Sequence, residues 1–237
     1  MSTDDDIGFG LVHGGFHGGW CWDEVIARLP GPAVAPDLPG RSGTPQELGR
    51  IRYEDWVEAA TIAIAALPAR RIVLAAHSLG GITLPQVAAR LADRVAHIVF
   101  VASVLPPEGE AFVGLDYIDG ATPAAWPRPP AEQLALSLCN DMEPGAIHHL
   151  LRRLTTAEPM GPLLQPITRR NMPRAPVTFV RAEQDVTGCL ADLDGAGSRL
   201  LKEFPQARVV RIDAGHNLIM TAPTAVAQVL REAAAQS

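Results

Sequence analysis

The residues best placed to do chemistry in this chain are a serine, a histidine and an aspartate, each of which follows an apolar run of strand length. Ser78 ends the stretch RIVLAAHS, Asp185 comes just after VTFVR, and His216 follows ARVVRI. A serine becomes a useful nucleophile when a histidine takes its proton and a carboxylate orients that histidine. These residue types therefore predict covalent acyl transfer, with Ser78 as nucleophile, His216 as base and Asp185 as acid.

The sequence around Ser78 also predicts a sharp turn from a strand into a helix. Ala76 and Gly80 flank the serine on either side, and small side chains there let the chain bend while the hydroxyl points outward. The usual pattern at such a turn is G-x-S-x-G, from which Ala76 departs by one methyl group. A small-residue break between a buried strand and a helix also arises from packing alone.

Three further carboxylates compete with Asp185 for the role of the acid, namely Glu183, Asp192 and Asp194. Glu183 lies only two residues past the predicted strand, and the other two fall inside a predicted helix, so Asp185 is preferred. Taken singly, a loop aspartate is typical of a turn or a helix cap. The order serine, aspartate, histidine, with each residue after a strand, favours a triad.

The first apolar run ends in His13-Gly14-Gly15-Phe16, which predicts a site for the negative charge that develops on a substrate carbonyl oxygen. Glycine lets the backbone come close to a ligand, so we expect the N–H groups of Gly15 and Leu79 to form an oxyanion hole. A glycine-rich turn without a ligand is the alternative. Phosphate binding is disfavoured, because HGGFHGG has neither the lysine of a P-loop nor the spacing of a dinucleotide site.

Apolar runs of strand length alternate with helical periodicity along the chain. This alternation predicts one α/β domain over residues 1–237, with a mainly parallel sheet covered on both faces. The predicted strands lie near residues 7–12, 33–37, 71–76, 95–101, 177–181 and 207–212. The predicted helices lie near residues 20–29, 53–66, 79–91, 189–203 and 222–234.

The alternation stops over residues 106–174, a proline-rich interval that we call the cap segment. We predict an inserted cap with helices near residues 131–138 and 143–154. A cap over the serine would exclude water and shape the substrate pocket. The residues most able to line such a pocket, or to fill the cap's own core, are Phe112, Tyr117, Trp126 and Leu138.

Composition limits the partners and cofactors. The net charge of −6, with no cluster of lysine or arginine, disfavours nucleic acid and anionic membranes, and no apolar run approaches membrane-spanning length. Cys21, Cys139 and Cys189 have no paired metal-ligand spacing, so we expect reduced thiols, no metal and no cofactor.

The acidic start MSTDDDIGFG lacks the cationic start of a secretory signal, so we expect a cytoplasmic protein acting on a small molecule. A homodimer is left open.

The segments HGGFHGGWCW, PDLPGRSGTP, AAHSLGG, RAEQDV and AGHN follow one another as in the α/β-hydrolase superfamily. Over essentially its whole length the chain resembles the group of small plant methylesterases and hydroxynitrile lyases with their bacterial relatives. The resemblance implies an α/β-hydrolase fold and a triad of Ser78, Asp185 and His216. It also implies an oxyanion hole at Gly15 and Leu79, with Phe16 lining the pocket beside it.

Two positions depart from this group and bear on the activity. The hydroxynitrile lyases have a threonine in place of Gly14 and a lysine in place of Asn217, which argues against cyanohydrin cleavage. The esterases share His77-Ser78-Leu79 but commonly have a methionine or another non-amide residue where this chain has Asn217. We therefore place His77, Trp126 and Asn217 provisionally in the pocket, although Asn217 is equally well explained as a loop amide bonded to backbone.

The expected function is hydrolysis of a carboxylic ester of a small, mostly apolar molecule. Two other functions suit the same residues. One is a lyase that uses the His216 and Asp185 pair as a base for elimination from a biosynthetic intermediate. The other is a hydrolase-like receptor that binds a small ligand with slow turnover or none.

Overall fold

The apolar runs of the sequence form one sheet of six parallel strands. The computed structural model describes residues 6–113, 124–195 and 197–236 of the chain. Its strands are β1 (Ile7–Val12), β2 (Ala33–Val34), β3 (Arg71–His77), β4 (Val95–Val101), β5 (Ala125–Pro127), β6 (Ala157–Pro159), β7 (Val177–Ala182) and β8 (Arg208–Ile212). The large sheet has the order β2-β1-β3-β4-β7-β8, whereas β5 and β6 form a separate antiparallel pair.

The strand register determines which loops meet at the carboxyl edge of the sheet. Val12 at the end of β1 pairs with Ala76 in β3, and His77 at the end of β3 pairs with Val101 in β4. The loops that follow β1 and β3 therefore lie side by side. The predicted strands are confirmed except that β2 is much shorter than residues 33–37, because Pro36 has no N–H to donate to a neighbouring strand.

The helices are α1 (Asp23–Ile26), α2 (Pro45–Leu48), α3 (Tyr53–Ala65), α4 (Leu84–Arg90), α5 (Ala131–Leu138), α6 (Pro144–Arg153), α7 (Met160–Leu163), α8 (Arg199–Glu203), α9 (Leu218–Thr221) and α10 (Pro223–Ala235). Alternate residues of β3 point to opposite faces of the sheet. Ile72 and Leu74 pack in one core with residues of α3 and α4. Val73 packs in the other core with residues of α1, α9 and α10. Both faces are thus covered, as predicted.

Three predicted helices are shorter and interrupted. The prediction of one helix over residues 79–91 is wrong, because a 3-10 turn over Ser78–Ile82 precedes α4, where Pro85 occupies the first helical turn and donates no N–H. Residues 20–29 likewise form a 3-10 turn and the short α1. Residues 189–203 form a 3-10 turn and α8, whose capping Ser198 starts a new helix.

The cap segment contains α5 and α6 at the predicted positions, together with α7 and the β5–β6 pair, which were not predicted. Tyr117, one of the predicted pocket residues, lies outside the described residues. Phe112, Trp126 and Leu138 are partly buried against the cores. In the described parts of the chain, no helix has the length and apolar character needed to cross a bilayer.

Candidate active site

Ser78 lies at a tight turn between β3 and the following 3-10 turn. Its φ is +50°, in the left-handed region that non-glycine residues rarely adopt. Its carbonyl accepts a hydrogen bond of 2.8 Å from the Val104 N–H, which anchors the turn to the end of β4. Only glycine fits at position 80, because a Cβ there would lie 2.6 Å from the His13 carbonyl oxygen. The surrounding backbone therefore holds Ser78 in this strained conformation.

The fold brings Ser78, His216 and Asp185 together from three different loops. His216 Nε2 lies 2.8 Å from Ser78 Oγ, and His216 Nδ1 lies 2.9 Å from Asp185 Oδ2. Both distances are those of direct hydrogen bonds. His216 and Asp185 are buried, with 2% and 8% of their surfaces exposed, so their hydrogen bonds are largely shielded from water. The arrangement is the one in which a base can take a proton from a serine.

Thr187 supports the carboxylate and was missed in the sequence. Its N–H and its hydroxyl both donate to Asp185 Oδ1, at 2.8 and 2.7 Å. Burial acts to raise the pKa of Asp185, but hydrogen bonds from His216 and Thr187 outweigh it and hold that pKa below its usual value. The signal that could have revealed Thr187 is the pattern D-x-T, which is typical of a side chain that bonds to the backbone two residues on.

Among the described residues, the carboxylate bonded to His216 is that of Asp185, and the three competing carboxylates lie elsewhere. Glu183 is exposed at the surface. Asp192 caps α8, accepting hydrogen bonds from the N–H groups of Arg199 and Leu200 and from the Ser198 hydroxyl. Asp194 forms ion pairs with two arginines of β7 and β8, Arg181 and Arg211.

The loop after β1, residues 13–17, lies beside Ser78, and we call it the glycine loop. Gly15 and Leu79 both line the cavity in front of the serine. A Cβ at position 14 would lie 2.8 Å from Ser78 Cβ, so the loop can approach the serine this closely only with glycine there.

His13 is a buried histidine that the sequence reasoning did not select. It orients the peptide unit that joins Gly14 to Gly15 and therefore carries the Gly15 N–H. His13 Nδ1 donates to the Gly14 carbonyl at 2.8 Å, while His13 Nε2 accepts from the Leu38 N–H at 3.0 Å. Burial, followed by the nearby positive charge of Arg41, lowers the pKa of His13 to about 3. The ring therefore stays neutral and keeps the single tautomer that satisfies both hydrogen bonds.

The cavity in front of Ser78 has a volume of about 660 Å³ and lies between the sheet edge and the cap segment. Its walls are mainly apolar, with aromatic rings close to one another. Trp126 lies 6.2 Å from the ring centre of Phe16 and 5.8 Å from that of Phe112. Phe16, Phe112, Trp126 and Leu138 all line the cavity. A mainly apolar space of this size suits a small, mostly apolar ligand.

His77 and Asn217 lie elsewhere than the sequence suggested. Neither is among the described residues that line the cavity. His77 is fully buried, and its Nε2 donates to the His216 carbonyl at 2.9 Å. Asn217 is also fully buried, and its amide donates to the Leu138 carbonyl at the end of α5, at 2.9 Å. Both side chains thus brace the backbone around His216 instead of forming the pocket wall.

Cys189 is a cavity-lining residue that the sequence reasoning did not select. Its thiol, Asp185 and His216 offer potential metal ligands within 4.8 Å of one another. The aspartate and histidine atoms already bond to each other, and burial raises the pKa of the Cys189 thiol to about 12, which disfavours the thiolate that metals bind. Cys21 is buried, and burial raises its thiol pKa too.

Known proteins similar to this chain include members of one enzyme family. A family model described as "Alpha/beta hydrolase family" matches residues 11–229. The curated relatives include Esterase PIR7B of Oryza sativa subsp. japonica, 36% identical over 116 residues that make up 46% of this chain and 43% of that protein. Methylesterase 7 of Arabidopsis thaliana is 31% identical over 134 residues, or 53% of this chain and 52% of that protein. The chain thus matches about half the length of these relatives, or less.

Solved structures resemble the whole chain. Methylketone Synthase I of tomato, complexed with 2-tridecanone, gives a TM-score of 0.78 at 19% identity and covers 98% of both chains. The methylesterase MES16 from Arabidopsis gives a TM-score of 0.77 at 18% identity, covering 97% of this chain and 99% of that one. At such low identity these likenesses show that the fold is shared.

Proposed function

This chain belongs to the alpha/beta hydrolase family, and on that premise we propose that it is a serine hydrolase that cleaves a carboxylic ester of a small, mostly apolar molecule. The observation that carries the proposal is the continuous chain of hydrogen bonds from Ser78 Oγ through His216 to Asp185. The names of the curated relatives, esterase and methylesterase, support the same reaction class.

Acylation is the first half of the proposed reaction. His216 Nε2 accepts the Ser78 proton while Ser78 Oγ attacks the ester carbonyl carbon, and the carbonyl oxygen becomes an oxyanion. The N–H groups of Gly15 and Leu79 stabilise this oxyanion, and Asp185 stabilises the charged imidazole. The intermediate then expels the alcohol, which takes its proton from His216, and leaves an acyl group on Ser78.

Deacylation repeats the same steps with water. His216 takes a proton from a water molecule, whose oxygen attacks the acyl carbon and forms a second oxyanion in the same place. When this intermediate collapses, Ser78 regains its proton from His216 and the carboxylic acid leaves. No cofactor takes part in this proposal.

The surroundings of Ser78 favour a small apolar ester over a cyanohydrin. The aromatic rings of Phe16, Phe112 and Trp126 offer apolar contacts and no charge. At position 14, where the resembling lyases have a threonine, a side chain would collide with Ser78 Cβ. The threonine hydroxyl of those enzymes therefore has no counterpart at this position.

The proposal is tested by labelling with a fluorophosphonate probe and by turnover of a panel of short p-nitrophenyl esters. We expect the probe to modify Ser78 and expect Ser78→Ala to lower ester turnover by a factor on the order of 10⁶, as removal of a triad serine does elsewhere. Ser103→Ala is the matched control. Ser103 also lines the cavity but is fully buried, and its hydroxyl donates to the Ala76 carbonyl at 2.7 Å, so labelling at Ser78 should persist in this variant.

Each result separates the candidate functions. Labelling with turnover supports the hydrolase, and labelling without turnover of any ester favours the lyase or the receptor. A Ser78→Ala variant that keeps a tenth of the wild-type rate would rule out a covalent mechanism through this serine.

A further inference from the structure

The steps proposed above leave a buried ion pair beneath the glycine loop without a role. Glu158 belongs to β6 of the cap segment, and its side chain is completely buried. Arg41 reaches it from the loop after β2, with 12% of its side chain exposed. The two groups bond through both carboxylate oxygens, at 2.7 Å for Oε1 and 2.5 Å for Oε2. Such bidentate geometry fixes the orientation of the carboxylate as well as its charge.

The carboxylate has a third partner, which belongs to the glycine loop. The Phe16 N–H donates to Glu158 Oε1. The Phe16 carbonyl accepts a hydrogen bond of 2.8 Å from the Thr155 N–H, three residues before Glu158. Phe16 has a φ of +60°, a left-handed conformation that is unfavourable for a phenylalanine. The cap segment thus holds both backbone polar groups of Phe16 in a conformation that the residue would not prefer by itself.

Two further hydrogen bonds extend this restraint along the loop. The Gly15 carbonyl accepts from His17 Nδ1 at 2.7 Å, and the His17 carbonyl accepts from the Arg41 guanidinium at 2.7 Å. The Gly15 carbonyl and the Phe16 N–H are the two polar groups of one peptide unit, so both edges of that unit are held. The Phe16 N–H is engaged by Glu158, and Gly15 and Leu79 both line the cavity, so the proposed reaction uses the N–H of Gly15 as the donor from this loop.

We infer that Glu158 is a positioning residue for the oxyanion site. Its carboxylate, balanced by Arg41, holds the Phe16 N–H and thereby sets the backbone that presents the Gly15 N–H to the substrate oxygen. The inference rests on the proposed function, since it assigns a role within the same reaction. It also gives the cap segment a second task beyond covering the cavity, because the strand that carries Glu158 is part of that segment.

The alternative role is purely structural, with the ion pair fastening the cap segment to the sheet. The two roles differ in what they change. A loosened cap would alter substrate binding and thermal stability, whereas a displaced Gly15 N–H would weaken binding of the transition state alone. The ratio of effects on kcat and KM therefore distinguishes them.

The test compares two double variants that both lack the ion pair. The first, Arg41→Met with Glu158→Gln, is called the Gln pair, and its amide oxygen can still accept a hydrogen bond from the Phe16 N–H. The second, Arg41→Met with Glu158→Leu, is called the Leu pair and has no acceptor at this position. Removing both charges together avoids leaving one of them buried without a partner. We expect the Gln pair to keep kcat for a p-nitrophenyl ester within about five-fold of wild type. We expect the Leu pair to lose roughly 10²–10³-fold in kcat, as deletion of an oxyanion-hole donor does, with KM changed less than about three-fold.

A second readout follows the oxyanion directly. An arylboronic acid forms a tetrahedral adduct with an active-site serine, and its affinity should fall in the Leu pair by about the same factor as kcat. If the Leu pair does not fold, Glu158→Asp serves instead, because it keeps the charge but withdraws the acceptor from Phe16; a loss in kcat of roughly ten-fold or more is expected.

The outcomes separate this inference from the proposed function. Probe labelling and ester turnover by the wild-type chain test the proposed function alone. If the wild type turns over esters but the Gln and Leu pairs have equal kcat, the inference is overturned while the function stands. It is overturned as well if the Leu pair changes KM and thermal stability but not kcat or boronic acid affinity, since that pattern belongs to the structural role.

Discussion

At the scale of single residues, the backbone conformations of Ser78 and Phe16 are the most telling features of the site. Both have positive φ, at +50° and +60°, on the two sides of the cavity where the oxyanion would form. Each such residue costs about 1–3 kcal/mol and persists only where neighbouring contacts hold it. The Val104 N–H does this for Ser78, and Glu158 with Thr155 does it for Phe16.

Of the two roles that the sequence left open for Asn217, the structure shows the loop amide bonded to backbone. Its buried amide donates to the Leu138 carbonyl, so it ties the loop of His216 to the cap segment. We expect Asn217→Met to lower the free energy of unfolding by about 1–3 kcal/mol, because a buried carbonyl loses its donor. Relative kcat/KM values for a short and a long p-nitrophenyl ester should stay unchanged. Urea denaturation and the two-ester comparison check both expectations.

The control for this variant is the same substitution at the exposed Asn171, which should leave stability within about 0.5 kcal/mol of wild type. A ten-fold shift in ester preference for Asn217→Met, with stability unaltered, would instead mean that this amide contacts substrate.

At the scale of elements, the cap segment contacts both loops that the proposed reaction uses. The residues after α5 hold the histidine loop: Asp141 Oδ2 accepts from the Gly215 N–H at 2.7 Å and from the Thr221 hydroxyl at 2.8 Å. A Cβ at position 215 would collide with this carboxylate, so the close approach requires glycine. Further along the same segment, Glu158 of β6 accepts a hydrogen bond from the Phe16 N–H. The cap segment therefore holds both loops in place and also contributes residues to the cavity wall.

Removal of the Asp141 carboxylate tests this structural role. Asp141→Ala leaves the Gly215 N–H without its acceptor, so we expect a loss of stability of about 1–3 kcal/mol. We also expect kcat to fall by roughly ten-fold or more, because His216 is the next residue and small displacements are costly. Thermal unfolding and ester turnover measure the two effects.

Glu143→Ala is the matched control, since Glu143 is an exposed acid only two residues further along the same segment. If the two variants have the same stability and kcat, the contact between Asp141 and Gly215 does not support the histidine loop.

At the scale of the whole molecule, a group of buried histidines makes folding sensitive to acid. Burial lowers the pKa of His13 to about 3 and that of His17 to about 4, and it lowers the pKa of His77 well below its usual value. The unfolded chain titrates these side chains near pH 6.5. Below that pH the unfolded state therefore binds protons that the folded state does not, and stability falls as the pH falls.

We expect the free energy of unfolding to decrease steadily from pH 6.5 to pH 5. Unfolding at the lower pH should take up about three protons at His13, His17 and His77, with a further contribution from His97, whose pKa burial also lowers. Urea titrations at several pH values measure this slope. The variant His17→Gln should reduce the uptake by about one proton. A free energy of unfolding that is constant over this interval would contradict the neutral, buried state of these rings.

Elements that are encoded locally could be predicted from the sequence. The apolar runs around Ile7 and Arg71 predict β1 and β3 because a strand buried on both faces needs a continuous apolar stretch. The order of Ser78, Asp185 and His216, each after a strand, was enough to predict that the three would meet, because the carboxyl ends of parallel strands share one edge. The oxyanion site at Gly15 and Leu79 is predicted on another ground, the glycines at the end of the first apolar run, and it stays a prediction.

The tertiary structure alone decided what depends on contacts between distant segments. Glu158 and Asp141 touch the glycine loop and the histidine loop across 142 and 74 residues of sequence, and no local pattern encodes such pairings. The breaks in the helices after Ser78 and after Cys189, by contrast, have local signals in Pro85 and the capping Ser198, which helical periodicity alone does not register. For Asn217 the sequence left a pocket residue and a backbone-bonded loop amide equally open. Only the fold decides between them, because the carbonyl that accepts its amide, that of Leu138, lies 79 residues away in sequence.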